Sequence, residues 1–280
     1  MLQRSSSVRP PAVAGLFYPA DRRELAHSLS QMLGAAAHEA PERAAPKAII
    51  APHAGYIYSG PIAASVYTLL VPARRRIQRA VLLGPVHRVA VRGLVLPEAS
   101  AFATPLGTVE IDLAALKALR GLSQVGVSAQ AHAFEHSLEV HVPFLQTVLE
   151  EFRLVPLAVG HATAQEVAEV LEALWGGPET LIVVSSDLSH YLSYSDAQAV
   201  DRATARAILE LSTDISHDQA CGATPVTGLT LAARARGLEP ELIDLRNSGD
   251  TAGDKGRVVG YGAFAFYERP VGSQRQPQPR

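Results

Sequence analysis

Apolar residues along this chain fall in two rhythms. Unbroken runs at Lys47-Ala48-Ile49-Ile50, Arg79-Ala80-Val81-Leu82-Leu83, Leu154-Val155-Pro156-Leu157-Ala158-Val159 and Thr180-Leu181-Ile182-Val183-Val184 read as buried strands. Between them, apolar positions return at helical spacing. Leu25, Leu29 and Leu33, four apart after Pro19-Ala20-Asp21, predict a first helix that Gly34 stops. Further helices are expected at about 61–70, with Pro61 in the first turn, and at 113–119, 138–152, 164–174, 196–211 and 225–236. A strand pair is expected around 93–96 and 108–111, and strands at 241–245 and 258–267 close the pattern. This alternation predicts a layered α/β domain. Residues 8–268 form one domain in this reading, with an Ala-, Glu- and Pro-rich surface connection over 35–46. Residues 1–7 and 269–280 are flexible tails, the second having no apolar content to bury.

Composition narrows the partners. The 280 residues are 48% hydrophobic, and 25 basic against 27 acidic residues leave a formal charge of −2. That balance gives no electrostatic footprint for nucleic acid or an anionic membrane surface. No apolar run approaches the roughly 20 residues of a membrane span. A single cysteine, Cys221, rules out an intrachain disulfide framework, and the first residues lack a signal-peptide apolar stretch. A cytoplasmic location is the expectation.

The chemistry is written in histidines that follow strands. His53, His87 and His190 each come shortly after an apolar run, in Ala51-Pro52-His53, Gly84-Pro85-Val86-His87 and Ser185-Ser186-Asp187-Leu188-Ser189-His190. In an open α/β sheet, ligands bind in the crevice beyond the carboxyl ends of the strands. Neutral imidazoles meeting there suit a divalent metal, or a base near neutral pH. The Asn247–Asp254 loop offers Asp250 and Asp254 as carboxylates, and two histidines with one carboxylate would make a non-haem Fe(II) triad. Asp187, three residues before His190, is expected to orient that imidazole.

Two other patterns compete. His132-Ala133-Phe134-Glu135-His136 fits the H-x-x-E-H motif of inverted zinc peptidases. The helical apolar positions Leu138, Val142, Leu145 and Leu149 all lie downstream, however, so Glu135, Glu139 and His141 read as the start of a helix, with His136 able to reach the site. Cys221 precedes Thr224, a candidate N-cap, and Pro225, so a helix N-terminus would lower its pKa. Its nearest base in sequence is His217. A structural cysteine is the favoured reading.

With these residues in view, the chain resembles the Memo family, known in prokaryotes as AmmeMemoRadiSam system protein B. The likeness runs through Arg9–Pro19, Ala51–Gly60, Leu83–His87, Glu135–Phe144, Ser185–His190, Asn247–Asp250 and Val259–Tyr261. The resemblance implies a single three-layer α/β domain, a central mixed sheet flanked by helices, similar to the catalytic subunits of class III extradiol dioxygenases. It implies His53 and His87 as metal ligands and His190 as acid/base; Asp187 and His136, from their own positions in the chain, are expected to support them. Where the animal Memo protein has a cysteine as third ligand, this chain offers Asp250, with Asp254 as the fallback. An N2O set suits Fe(II), with copper or zinc as alternatives. The implied activity is dioxygenase-like, on a small molecule or peptide. The other reading is a non-catalytic metal- or peptide-binding scaffold, working with an AMMECR1-domain protein and a radical SAM protein.

Overall fold

In the computed structural model, which describes residues 7–37 and 44–269, the longest apolar runs become the middle of a sheet. In chain order the elements are β1 (Val8–Arg9), α1 (Arg22–Ala36), β2 (Ala48–Ala51), α2 (Tyr56–Tyr67), β3 (Arg79–Pro85), β4 (Leu94–Leu96), β5 (Ala101–Thr104), β6 (Gly107–Glu110), β7 (Val125–Val127) and α3 (Ala129–Ala133). There follow α4 (Val142–Val148), β8 (Arg153–Val159), α5 (Ala164–Leu174), β9 (Thr180–Ser185), β10 (His190–Leu192), α6 (Tyr194–Leu209), α7 (Ala223–Arg236), β11 (Glu239–Asn247) and β12 (Val258–Tyr267). The large sheet runs β10-β12-β2-β9-β3-β8-β4-β7, with β11 paired to β12. Its centre, β2-β9-β3-β8, is parallel, while β12 and β4 join it antiparallel. The sheet is therefore mixed.

Alternate residues of the central strands feed two cores. Ile49, Ala51, Leu82 and Val183 pack with Leu25, Leu29, Ile62 and Phe144 from α1, α2 and α4. Ile50, Leu83, Ile182 and Val184 pack with Leu171, Ile208 and Leu229 from α5, α6 and α7. Strands buried on both faces read as continuous apolar runs, and the outcome is one α/β domain of three layers. No helix among the described residues is long and apolar enough to cross a membrane.

Several boundaries differ from expectation for local reasons. Helix α1 runs past Gly34 to Ala36, because Gly34 keeps a backbone without positive φ. Helix α2 starts at Tyr56, so Pro61 lies within it and gives up only the one bond its missing N–H would have made. The 138–152 helix divides into a 3₁₀ turn at Glu139–His141 and α4, with Pro143 at the junction. The segments at 93–96 and 108–111 are strands but not partners: β4 pairs with β7 and β8, whereas β6 pairs with β5 in a small sheet with β1. The expected tails at 1–7 and 269–280 fall almost wholly outside the described residues, as does the middle of the 35–46 connection.

Candidate metal centre

Strands β2, β9 and β3 are parallel neighbours, so the residues after their carboxyl ends emerge side by side. These residues are Pro52-His53, Ser186-Asp187 and Val86-His87. A third imidazole joins His53 and His87 from the segment after α3. It is His136, with ring centroids 5.4 Å from His53 and 4.6 Å from His87, against 5.2 Å between those two. One ligand nitrogen from each of the three lies within 4.8 Å of the others. Gly84 permits this approach: a Cβ there would stand 2.9 Å from Ser137 Oγ and 3.1 Å from Ser185 Cβ.

Hydrogen bonds set the state of the rings. The Ser185 hydroxyl donates to the Ser137 carbonyl at 2.6 Å, so it accepts from His53 Nδ1–H, also at 2.6 Å. The lone pair of His53 is then on Nε2. Glu135 does the same for His87, with Oε1 accepting from Nδ1–H at 2.8 Å and Oε2 from the His87 backbone N–H at 2.6 Å. Oε1 also accepts from the backbone N–H groups of His136 (2.9 Å) and Ser137 (3.0 Å). Burial alone would raise the Glu135 pKa; the His87 imidazole and these N–H donors outweigh it and bring it to about 2. Burial, then the neighbouring His136 and His87, holds His53 well below the usual imidazole range. His136 is brought to about 4, burial first, against the pull of Glu135.

The other expected site residues are placed differently. His190 borders a cavity of about 430 Å³, with Phe17, Tyr58, His136, Asp187, Asp254 and Tyr261 among its walls. Its Nδ1–H donates to the Leu188 carbonyl at 2.8 Å, so a backbone group rather than Asp187 fixes its tautomer. Asp187 serves His53 instead: Oδ1 accepts the His53 backbone N–H at 2.7 Å, and Oδ2 lies 3.9 Å from His53 Nε2. Burial pushes the Asp187 carboxyl up to about 7. Asp250 is not brought to the histidines. It is exposed, with Oδ2 accepting the Asn247 backbone N–H at 2.9 Å in a capping box and Oδ1 accepting from the Tyr194 hydroxyl. Asp254 lines the cavity, with Oδ1 on the Gly256 backbone N–H. The third place beside His53 and His87 therefore passes from Asp250 to His136.

The peptidase arrangement does not form. Helix α3 ends at Ala133, and His132 Nε2 is engaged with the Val95 carbonyl at 2.8 Å. Cys221 was the neighbour hardest to foresee. Its Sγ lies 3.4 Å from His53 Nε2, a contact between residues 168 positions apart. It also meets the Asp187 backbone N–H at 3.3 Å, while His217 bonds Thr224 rather than the thiol. Helix α7 begins at Ala223, capped by Gly222. Burial, then the Asp187 carboxylate, drives the thiol up to about 12, so the helix N-terminus does not activate it.

Comparison with known proteins bears on this arrangement. A family model described as Memo-like protein matches residues 9–265. The chain belongs to the Memo-like family. A MEMO1 family protein of Aquifex aeolicus is 36% identical over 272 residues, covering 92% of this chain and 99% of that one. MEMO1 family proteins of Aeropyrum pernix and Methanothermobacter thermautotrophicus are each 37% identical, covering 91% of this chain and 98% of theirs. A looser match, at 13% identity and TM-score 0.45, is the crystal structure of uncharacterized protein JW3007 from Escherichia coli K12, over 76% of this chain and 98% of that one. The Memo-like match spans all three clustered histidines. Their donor set fits a metal ion: metal-ligating imidazoles must be neutral, and a carboxylate or hydroxyl on the far ring nitrogen is the usual brace of such ligands.

Proposed function

We propose that this Memo-like chain is a metal-dependent enzyme of the extradiol-dioxygenase type. His53, His87 and His136 hold one divalent transition-metal ion, and His190 moves protons to and from a small molecule in the adjoining cavity. The observation that carries the reading is the convergence of three imidazoles, two of them braced at Nδ1 by Ser185 and Glu135. Fe(II) is the ion the dioxygenase reading requires; three imidazoles without a carboxylate suit iron, copper and zinc alike, so copper and zinc are the competing outcomes of metal analysis. When bound, the ion would polarise a substrate oxygen and, as Fe(II), supply the redox chemistry that O₂ requires.

The chain's own groups divide the remaining tasks. With Nδ1–H tied to Leu188, His190 keeps Nε2 free to accept a substrate hydroxyl proton, and burial lowers its pKa so that the ring is neutral at pH 7. Asp187 positions His53 through the backbone bond, and Phe17 packs on His136 with ring centroids 4.7 Å apart, narrowing its access to water.

The test begins with protein prepared without added metal or a nickel column, analysed for bound elements and then titrated anaerobically with Fe(II), Zn(II) and Cu(I). Stoichiometric Fe(II) uptake and O₂ consumption with a catechol panel are expected. Failure to take up any of the three ions overturns the reading. His190→Gln should keep the metal and lose turnover, by about 10²- to 10⁴-fold; loss of the metal instead would remove His190 from the proton-transfer role.

A further inference from the structure

The outer wall of the cavity carries a cation that the proton and metal chemistry above leaves unused. Arg257 sits just before β12, lines the cavity and stacks its guanidinium 4.6 Å from the centroid of the Tyr191 ring. Among the described residues it forms no ion pair. Tyr191 directly follows His190, the two rings meeting edge to face at 5.7 Å.

The backbone there points the same way. Tyr191 has φ of 62°, the left-handed region that is strained for a residue with a Cβ. Its side chain is 62% exposed, so burial does not offset the strain. The distortion coincides with the register shift where His190 and Leu192 pair with β12, and it leaves the Tyr191 ring beneath Arg257. Strain that persists without a packing reward is a mark of functional sites.

Resting on the reading of His190 and the histidine cluster given above, we propose that Arg257, held on Tyr191, binds the carboxylate of a small aromatic substrate whose ring packs among Phe17, Tyr58 and Tyr261. A guanidinium fork matches a carboxylate with two parallel N–H···O bonds, and aromatic walls favour a planar ring by offset or edge-on packing. At about 430 Å³ the cavity lies near the small end of ligand pockets, which suits one ring rather than a peptide. His136 and His190 line the same cavity, within reach of a ring held there. Asp254, on the same outer wall, has Oδ1 engaged with the Gly256 backbone N–H.

Isothermal titration of the full chain with benzoate and its neutral isostere benzamide tests this, on metal-free protein and on the redox-silent zinc form. Wild type should bind benzoate at least about tenfold more tightly than benzamide in both forms. Arg257→Met keeps an unbranched apolar side chain over Tyr191 and should erase that preference while leaving benzamide unchanged. Raising NaCl from about 50 to about 500 mM should weaken benzoate alone. Equal affinity for the two probes, or no benzoate binding in either form, overturns the proposal. So does a preference that survives Arg257→Met, because the carboxylate would then be held by another group. Failure to take up zinc counts against the metal centre only, since the metal-free arm still reads the Arg257 preference.

Discussion

The segment Glu135–Ser137 and the loop Asn247–Asp254 both border one cavity and both carry a carboxylate, yet they employ it in opposite ways. Glu135 is 2% exposed and gathers donors from two chain segments: the His87 ring and backbone, and the backbone of His136 and Ser137. Asp250 is exposed and closes its own turn, bonding Asn247 three residues back and the Tyr194 hydroxyl. Both carboxylates are satisfied, but only the first transmits its charge to a histidine. What a carboxylate can do near a metal centre is decided by which N–H groups claim it first.

The sharpest way to break this contrast is to delete a ligand on one side and the carboxylate on the other. His87→Ala should cost more metal affinity than the roughly 10–100-fold typical of a lost bracing group, measured by competition with a chromophoric chelator. A metal-retaining His87→Ala would dissolve the cluster. Glu135→Gln should fall within that 10–100-fold range, since the ring keeps a weaker hydrogen-bond partner.

Acid denaturation of the metal-free protein sharpens the same point. The folded Glu135 carboxyl titrates at about 2, below its ordinary 4.5, so its contribution is complete above about pH 4.5 and is lost as pH falls through 2. Wild type should therefore lose roughly 2–3 kcal/mol more over that window than Glu135→Gln does; parallel acid limbs would deny the brace any electrostatic role. The smallest effect belongs to the other loop. Asp250→Ala should leave metal affinity unchanged and cost about 1 kcal/mol of stability through the lost bond to the Asn247 backbone N–H, read by denaturant titration. A large fall in metal affinity there would restore Asp250 to the ligand set.

Much of this was legible in the chain. The apolar runs before His53 and His87 located the strand ends, because strands covered on both faces have no polar alternation to hide them. His190, expected to meet those two histidines, lines the adjoining cavity instead. His136 is hard to place from sequence because it follows a short helix, and its approach depends on the missing side chain at Gly84, a contact with no local signature. Asp250 carries a signal against the ligand role: Asn247 and Asp250 have the three-residue spacing of a capping box. Cys221 against His53 had no such signal, since only the folded sheet joins positions that far apart.

The order of strands carries a consequence for how the centre comes into being. His53 and His87 follow β2 and β3, which do not touch each other; β9, made almost a hundred residues later, lies between them. A nascent chain therefore holds two of its three imidazoles long before the strand that sets their separation exists. Such late insertion of a central parallel strand pays its loop-closure entropy before any contact rewards it. Synthesis up to His136 yields all three imidazoles but not the arrangement that brings them together, so any metal capture would be a late event that reports completion of the sheet.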